Sequence, residues 1–429
     1  MANAVADFNR KYLSVIVWTL RIVIGATFIV SGLSKAIDIW GFVYKIEEYM
    51  NVWGFSQPRS LIVMVALGLS GLEFVAGLLL STGCYKRSIV WLLLAVMAGM
   101  LPLSLYVYMA DPVADCGCFG DFVKLSNPAT FYKNVVITAL LVYLAVYNRK
   151  VRGLYGAYVQ WLLVAIPSIY VIIIGLVGYN LQPLVDFRSF PVGTSLVSDD
   201  EDDDEVNFTF IYEKDGRRES FTQDNLPDST WHFVDRSISS GKISSATDFV
   251  VLDGGDDITS EVIAPEGEEL LILIPQYERS DVSATYTINE LYKYITERGG
   301  SMVGLVATDE KHLEEWRDYS MADYPIYVAE PNLIKEMARG VISVVYLRDG
   351  VIKWKRTIAS IDADSLAEQA SRGVDVFKAL AVDGHAVMEF LTLVLVGCML
   401  VLFLLDKSGK LLKWSVRSRQ NKRDNNVSV

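Results

Sequence analysis

Six stretches of mostly apolar residues, at about 14–33, 61–81, 88–109, 131–147, 158–179 and 386–405, have the length and composition of membrane-crossing helices. The fourth is the shortest, but Tyr132, Tyr143 and Tyr147 at its flanks are amphipathic aromatics of the kind that settle at membrane interfaces. Between the fifth and sixth stretches the pattern changes, and 181–382 is charged and rich in turns. Within it, continuous apolar runs at 269–275 and 302–307 predict strands buried on both faces. Residues 285–298 carry Ile288, Leu291, Tyr292 and Ile295 at helical spacing, and further helices are predicted at 310–318 and 332–338 with a short strand at 325–329. Two hairpins read around Asp-Gly turns: 207–212 with 219–222 across Asp215-Gly216, and 341–347 with 351–355 across Asp349-Gly350. A layered α/β domain with a mixed sheet is the economical solution for this segment.

Composition sharpens the division. With 429 residues, 52% hydrophobic, and a mean hydropathy of +0.30, the chain is too apolar to be soluble throughout. The net charge of -12 and the lack of a broad basic surface argue against a nucleic-acid partner. Basic residues are unevenly placed: Arg10 and Lys11, Lys86 and Arg87, Arg149 with Lys150 and Arg152, and seven Lys and Arg between 407 and 423 all fall on one side if six helices alternate. Cytoplasmic loops carry such an excess, so both termini are expected in the cytoplasm, and 38–59, 111–124 and the large segment outside it. A cleaved signal peptide is the rival reading of the first stretch, but that stretch is long, contains Arg21 and leads into no small-x-small cleavage pattern. The expected organisation is a four-helix bundle over 1–150, a fifth span over 151–182, an acidic linker over 183–206, an α/β domain over 207–382 and a sixth span with a basic tail over 383–429. Seven consecutive acids at 199–205 read as a solvated spacer rather than a calcium site, which needs carboxylates brought round a turn.

Candidate chemistry concentrates in Asp115-Cys116-Gly117-Cys118-Phe119-Gly120, which holds two of only four cysteines and lies between two spans. Cys116 and Cys118 can close a small ring, bind a soft metal or face each other reduced, and the residues alone leave these open. A ring closed through one residue departs from relaxed disulfide geometry and is easier to reduce, which suits a relay; a static turn-locking disulfide is the bland alternative. Gly117 permits the tight turn, and Lys124 or Lys133 would favour a thiolate by charge. No metal site is expected, since all three histidines lie outside the four-span region. Cys84 reads as a reduced loop thiol and Cys398 as a packing residue of the last span. Arg21 and Glu73 are charges inside spans, where ionised groups need partners, and counting along the helices sets them at one level, so a structural Arg21–Glu73 pair is expected. Pro102 and Pro112 would open space below the cysteine loop, where an isoprenoid quinone is conceivable. His232 and His312 have no ligand spacing or triad partner.

The order of elements over about 245–372 resembles the thioredoxin fold, without that family's functional parts. The junction from Gln276 to Ser283 has no cysteine, and Arg339-Gly340-Val341-Ile342-Ser343 lacks the usual proline. The resemblance implies a docking module rather than thiol exchange within this domain. The first four spans resemble the DoxX and MauE membrane families, through Arg21, Gly25, Ser31-Gly32, Lys35, Asp38, Phe42, Glu73 and above all the 115–120 loop. The whole layout is similar to the longer DoxX-type proteins of Bacteroidetes. MauE-like proteins are linked to maturation of a periplasmic, disulfide-rich amine dehydrogenase, which implies redox or assembly work. The fold class expected is therefore an α-helical membrane protein, a four-helix DoxX/MauE-like bundle plus two helices, with an α/β thioredoxin-like soluble domain. The function expected is an inner-membrane accessory factor of a bacterium, a thiol-disulfide/quinone oxidoreductase or maturation factor. In that reading Cys116 and Cys118 serve a periplasmic thiol protein. The alternative is a non-catalytic membrane scaffold whose soluble domain binds a periplasmic partner.

Overall fold

The computed structural model describes residues 2–113, 115–197, 207–214, 217–222, 232–240, 249, 251–253, 256–276, 283–308 and 310–427. Two compact units emerge, Met1–Phe187 with Asp383–Val429, and Arg188–Val382.

The first unit is helical: α1 Ala2–Ile37, α2 Ile39–Val52, α3 Arg59–Thr82, α4 Ser88–Ala110, α5 Asn127–Tyr147 and α6 Leu162–Asn180, joined after the second unit by the long last helix Gly384–Val427. Six helices among the described residues are long and apolar enough to cross a membrane, and the chain is a multi-pass membrane protein. In lipid, apolar side chains gain little by leaving the solvent, so helices associate where small residues let backbones approach. That happens between α1 and α3. A Cβ on Gly32 would stand 2.5 Å from the Ser70 carbonyl oxygen, and one on Gly77 2.6 Å from that of Gly25. This contact turns Ser31 and Lys35 of α1 onto Glu73 of α3.

The α2 helix lies where the sequence suggested a loop. Asp38 caps it, its carboxylate accepting from the Gly41 N–H at 2.9 Å, and Ile39, Trp40 and Val43 bury one face. At 14 residues it is too short to register as a span. The Trp40 indole stacks on Tyr179 at 4.8 Å and donates to the Tyr179 carbonyl, which ties α2 to the end of α6.

The second unit is α/β. Strands β1 Asn207–Lys214, β2 Arg217–Thr222 and β3 His232–Ser240 form one antiparallel sheet, and β4 Leu252–Asp253 and β5 Asp256–Asp257 a small ribbon, followed by the one-turn α7 Thr259–Val262. The expected first hairpin is present with Lys214 opposite Arg217; its Asp215-Gly216 turn lies outside the described residues. The main elements are β6 Glu268–Ile274, α8 Ala284–Glu297, β7 Ser301–Val306, α9 Glu310–Ser320, β8 Ile326–Val328, α10 Pro331–Met337, β9 Ser343–Arg348, β10 Val351–Thr357, α11 Ala363–Ser371 and α12 Val376–Ala379. The five-stranded sheet runs β10-β9-β6-β7-β8, with β6, β7 and β8 parallel, β9 antiparallel to β6, and β10 antiparallel to β9. A parallel β-α-β crossover beside an antiparallel hairpin is the thioredoxin-like arrangement expected from the order of elements. Residues 270–274 of β6 alternate between two cores: Leu270, Ile272 and Ile274 pack with α8, while Leu271 and Leu273 pack with Ile334 and Met337 of α10.

Within the expected linker over 183–206, residues 188–197 group with this unit. The Thr194 carbonyl accepts from Ile352 N–H, Leu196 N–H donates to Gly350, and Phe190 and Leu196 are buried in the core. Two apolar anchors in a turn-rich stretch are too sparse to show as a strand. The acidic run 199–205 and the junction 277–282 lie outside the described residues.

Candidate functional site

The cysteine loop spans the end of α4 and the start of α5, and backbone chemistry fixes its shape. Asn127, at the start of α5, donates to the Asp111 carboxylate at 2.7 Å and to the Val113 carbonyl, closing the base. The Asp115 carboxylate accepts from Gly117 N–H at 2.7 Å, a side-chain turn that places residues 116 and 118 side by side. Gly117 has φ +68, and a Cβ there would meet the Lys45 Cγ of α2 at 2.7 Å, so both the turn and the approach of α2 require glycine. Lys45 also reaches the Asp115 carboxylate at 3.5 Å, and the Tyr49 hydroxyl donates to the Cys116 carbonyl at 3.4 Å.

The two sulfurs are 3.3 Å apart, unbonded and buried. They are not equivalent. Cys118 faces the bundle, sharing a cavity with Ser31 and Lys35 of α1, Glu73 of α3 and Lys133 and Asn134 of α5, whereas Cys116 does not line it. The hydrogen bond to Cys116 holds the Cys118 thiol down to about 6 against the opposing effect of burial, with Lys133 and Lys35 adding to the lowering. The same bond, then burial, pushes Cys116 up. The pair is asymmetric, with Cys118 the more acidic of the two.

Beneath Cys118 lies a buried ion pair. Lys35 Nζ is 2.8 and 2.7 Å from the two Glu73 carboxylate oxygens, with side chains 3% and 10% exposed. Ser31 Oγ accepts from Lys35 at 3.2 Å and stands 2.7 Å from Glu73 Oε2 and 2.6 Å from the Cys118 carbonyl oxygen. A hydroxyl has one proton, so it serves one of those two acceptors at a time. The cysteine loop and the ion pair are thus one hydrogen-bonded unit.

The expected Arg21–Glu73 pair is not formed. Arg21 is fully buried at the other end of α1, where it donates to the Asn148 side-chain oxygen at 2.6 Å and to the carbonyls of Asn148, Val151 and Arg152 at 2.9 to 3.1 Å. It satisfies backbone carbonyls at and just past the end of α5. Counting Cα positions missed this because side chains lean toward the N-terminus of their helix. Arg21 therefore leans away from the bundle centre, while Lys35, 14 residues on and about 21 Å further along the axis, leans inward to Glu73. The i, i+4 spacing of Ser31 and Lys35 was the legible signal for this site. Nothing in the sequence singled out Asn134 or Asn148.

Cys84 is buried beside Thr82 Oγ1 at 3.4 Å, and Cys398 is in the last helix; neither joins the loop pair. Among the described residues no third His, Cys, Asp or Glu completes a group that could hold a metal ion. The cavity at Cys118 has a volume of about 30 Å³, room for a single water and far below the few hundred Å³ typical of a pocket for an organic ligand. An apolar groove of about 830 Å³ between α3, α4 and α6, lined by residues such as Gly71, Val75, Leu92 and Val171, includes neither loop cysteine.

A family model described as methylamine utilisation protein MauE matches residues 13–147, which contain the cysteine loop and the ion pair, and one described only as a domain of unknown function matches 206–239. Protein TlpB of Flavobacterium psychrophilum is 27% identical over 131 residues, covering 30% of this chain and 35% of that protein. The chain thus matches about a third of the curated relative's length. A solved thioredoxin-like protein from Bacteroides caccae ATCC 43185 covers 72% of this chain and 80% of its own at 9% identity and a TM-score of 0.20, and at that score the likeness bears on neither fold nor function.

Proposed function

From the premise that this is a MauE-like membrane protein carrying a thioredoxin-like α/β domain, we propose that it is a thiol-disulfide relay or maturation factor acting through Cys116 and Cys118. One observation carries the reading: an ion pair buried in the bundle is hydrogen-bonded through Ser31 to the backbone of one of two adjacent thiols. A loop that merely needed locking has no use for charges beneath it, and buried charges are costly to keep. In exchange with a partner protein, the thiolate of one loop cysteine attacks a partner disulfide sulfur and releases a partner thiolate. The second loop cysteine then attacks the mixed disulfide, closing the loop disulfide and leaving the partner as a dithiol that takes one proton from that cysteine and one from solvent. The cavity size gives no support to a quinone at the thiols, and no step is routed through one.

The basic residues that cluster at alternate connections support an inner-membrane location in a bacterium, with both termini in the cytoplasm and the cysteine loop and residues 188–382 facing the periplasm. There a disulfide is permitted. The α/β domain, which contains none of the four cysteines, is read as the part that receives the partner.

The test is redox equilibration of the full-length protein in glutathione buffers, with Cys116 and Cys118 followed by differential alkylation and mass spectrometry. A relay pair should cycle reversibly with a midpoint above about -270 mV, whereas a structural disulfide sits below about -300 mV. A pair that stays oxidised throughout, or that never oxidises, leaves the membrane scaffold as the better account. Labelling of spheroplasts with an impermeant maleimide after reduction should reach 116 or 118; tagging of Cys84 alone would overturn the sidedness.

A further inference from the structure

The cavity below Cys118 presents an unbalanced set of groups. Its walls carry Lys35, Lys133 and Glu73, two cations against one anion, and the remaining ionisable wall is the Cys118 sulfur. Asn134, 3% exposed, turns a side-chain N–H2 in the same region that has no hydrogen-bond partner among the described residues. An orphaned buried donor is costly and marks a place where an acceptor belongs. Lys133 is held over the Phe119 ring at 4.4 Å, on the residue next to Cys118. The charge count and the spare donor both ask for an anion, and a sulfur can supply it. We propose that this cavity is a thiolate-holding site that makes Cys118 the attacking cysteine, with Asn134 and Lys133 as its positioning residues and Cys116 as the resolving thiol.

The groups around Cys118 come from every neighbouring element. Lys35 on α1 is committed to Glu73 on α3, so that pair is nearly neutral toward the sulfur and fixes the loop through Ser31. Lys45 and Tyr49 on α2 face Asp115 and Cys116, outside the cavity. The α4 wall is apolar, Val96, Met97 and Met100. Lys133 on α5 is thus the cation not already paired with a cavity carboxylate. The cavity that Asn134 and Cys118 both line has a volume of about 30 Å³, the size of one water. In the attack, Cys118 enters as thiolate and forms the S–S bond to the partner. Cys116 gives its proton to the departing partner thiolate as it displaces the partner from Cys118.

This inference rests on the relay reading, and its test is separable. Full-length protein in detergent, carrying Cys116→Ser or Cys118→Ser with Cys84→Ala and Cys398→Ala, is alkylated with iodoacetamide from pH 5 to 9.5, and the rate at the remaining loop cysteine is followed by mass spectrometry. Cys118 should react with a midpoint at least one pH unit below that of Cys116. Asn134→Leu and Lys133→Met should each slow Cys118 at pH 7 on the order of tenfold while leaving the high-pH limit, and Lys133→Arg should restore the rate. Lys133 is half-exposed, so its variants keep the test informative if Asn134→Leu does not fold. Equal midpoints for the two cysteines, or profiles unmoved by both the Asn134 and Lys133 variants, overturn the assignment. A low Cys118 midpoint in a protein that does not cycle in glutathione buffers overturns the relay and leaves the thiolate site standing. Reversible cycling with Cys116 as the faster nucleophile does the reverse.

Discussion

Removing one member of the Lys35–Glu73 pair should damage the bundle more than removing both. The two side chains are 3% and 10% exposed, their contacts are 2.7 and 2.8 Å, and among the described residues a lone charge left in that place keeps the Ser31 hydroxyl as its hydrogen-bond partner. Breaking a buried pair from one side costs about 3–5 kcal/mol in proteins, whereas replacing both partners by apolar groups of similar volume is often near neutral. Interhelical hydrogen bonds in bilayers couple by only about 0.6 kcal/mol on average, because unfolded helices find other partners, so an ion pair should exceed that figure. Glu73→Leu or Lys35→Met alone should lower the unfolding free energy by about 3 kcal/mol, and the double variant should recover at least about 3 kcal/mol of the summed loss, leaving it no less stable than either single variant. The assay is equilibrium unfolding of the full-length chain by SDS in mixed micelles, as a double-mutant cycle. A coupling at or below about 0.6 kcal/mol would refute the pairing as an energetic unit. Reversing Arg21 and Glu73 together gives an independent check: the geometry predicts no rescue, and a rescue would restore the pair expected from sequence.

Arg21→Lys keeps the charge but loses the fork that reaches Asn148, Val151 and Arg152, and should cost at least about 2 kcal/mol in the same assay; a cost near zero would show those carbonyls to be satisfied otherwise. Gly117→Ala forces a side chain onto φ +68 against Lys45, at about 1–2 kcal/mol, and should quicken alkylation of Cys116 by loosening the turn; unchanged alkylation would count against the turn as the lock. In the α/β unit, burial raises the Glu269 carboxyl from 4.5 to about 7, so its protonated form is the one the fold accepts. The stabilising contribution of Glu269 is therefore full below about pH 4.5 and is lost as pH rises through about 7, a difference of about 3 kcal/mol. Hydrogen exchange of the β6 and β7 amides at pH 5 and 8 should show that loss in the wild type and little of it in Glu269→Gln.

The parts of the structure legible in sequence are those written in periodicity. The spans, the buried strands β6 and β7, the helix α8 and both Asp-Gly hairpins follow from runs and spacings that local physics reads directly. The α2 helix escaped because it follows α1 after a single residue, Asp38, and is too short for a span, and 188–197 escaped because tertiary pairing with β10 rather than its own pattern makes it ordered. The site was half legible. Cys116 and Cys118 announce themselves, and Glu73 stands out as a charge in an apolar run. Its partner depends on the direction a side chain leans, which a count of residues along the axis does not contain. Asn134 was invisible because an asparagine at an interface end of a span is unremarkable until its donor is found buried and unmet.

What the structure adds is a reason for asymmetry in a motif that looks symmetric. Cys-Gly-Cys offers two chemically identical thiols, and any preference between them must come from what surrounds each. The tight turn at Gly117 sends the two side chains to different surroundings, Cys116 below Tyr49 and Cys118 above the ionic floor. Packing of α1 on α3 through Gly32 sets the distance between that floor and the loop, since a larger residue there would push Ser31 away from the Cys118 carbonyl. The same small residues that hold the helices together thus decide how firmly Ser31 holds the loop. A substitution that widens the α1–α3 contact, such as Gly32→Ala, should therefore slow Cys118 alkylation at neutral pH even though residue 32 touches neither cysteine.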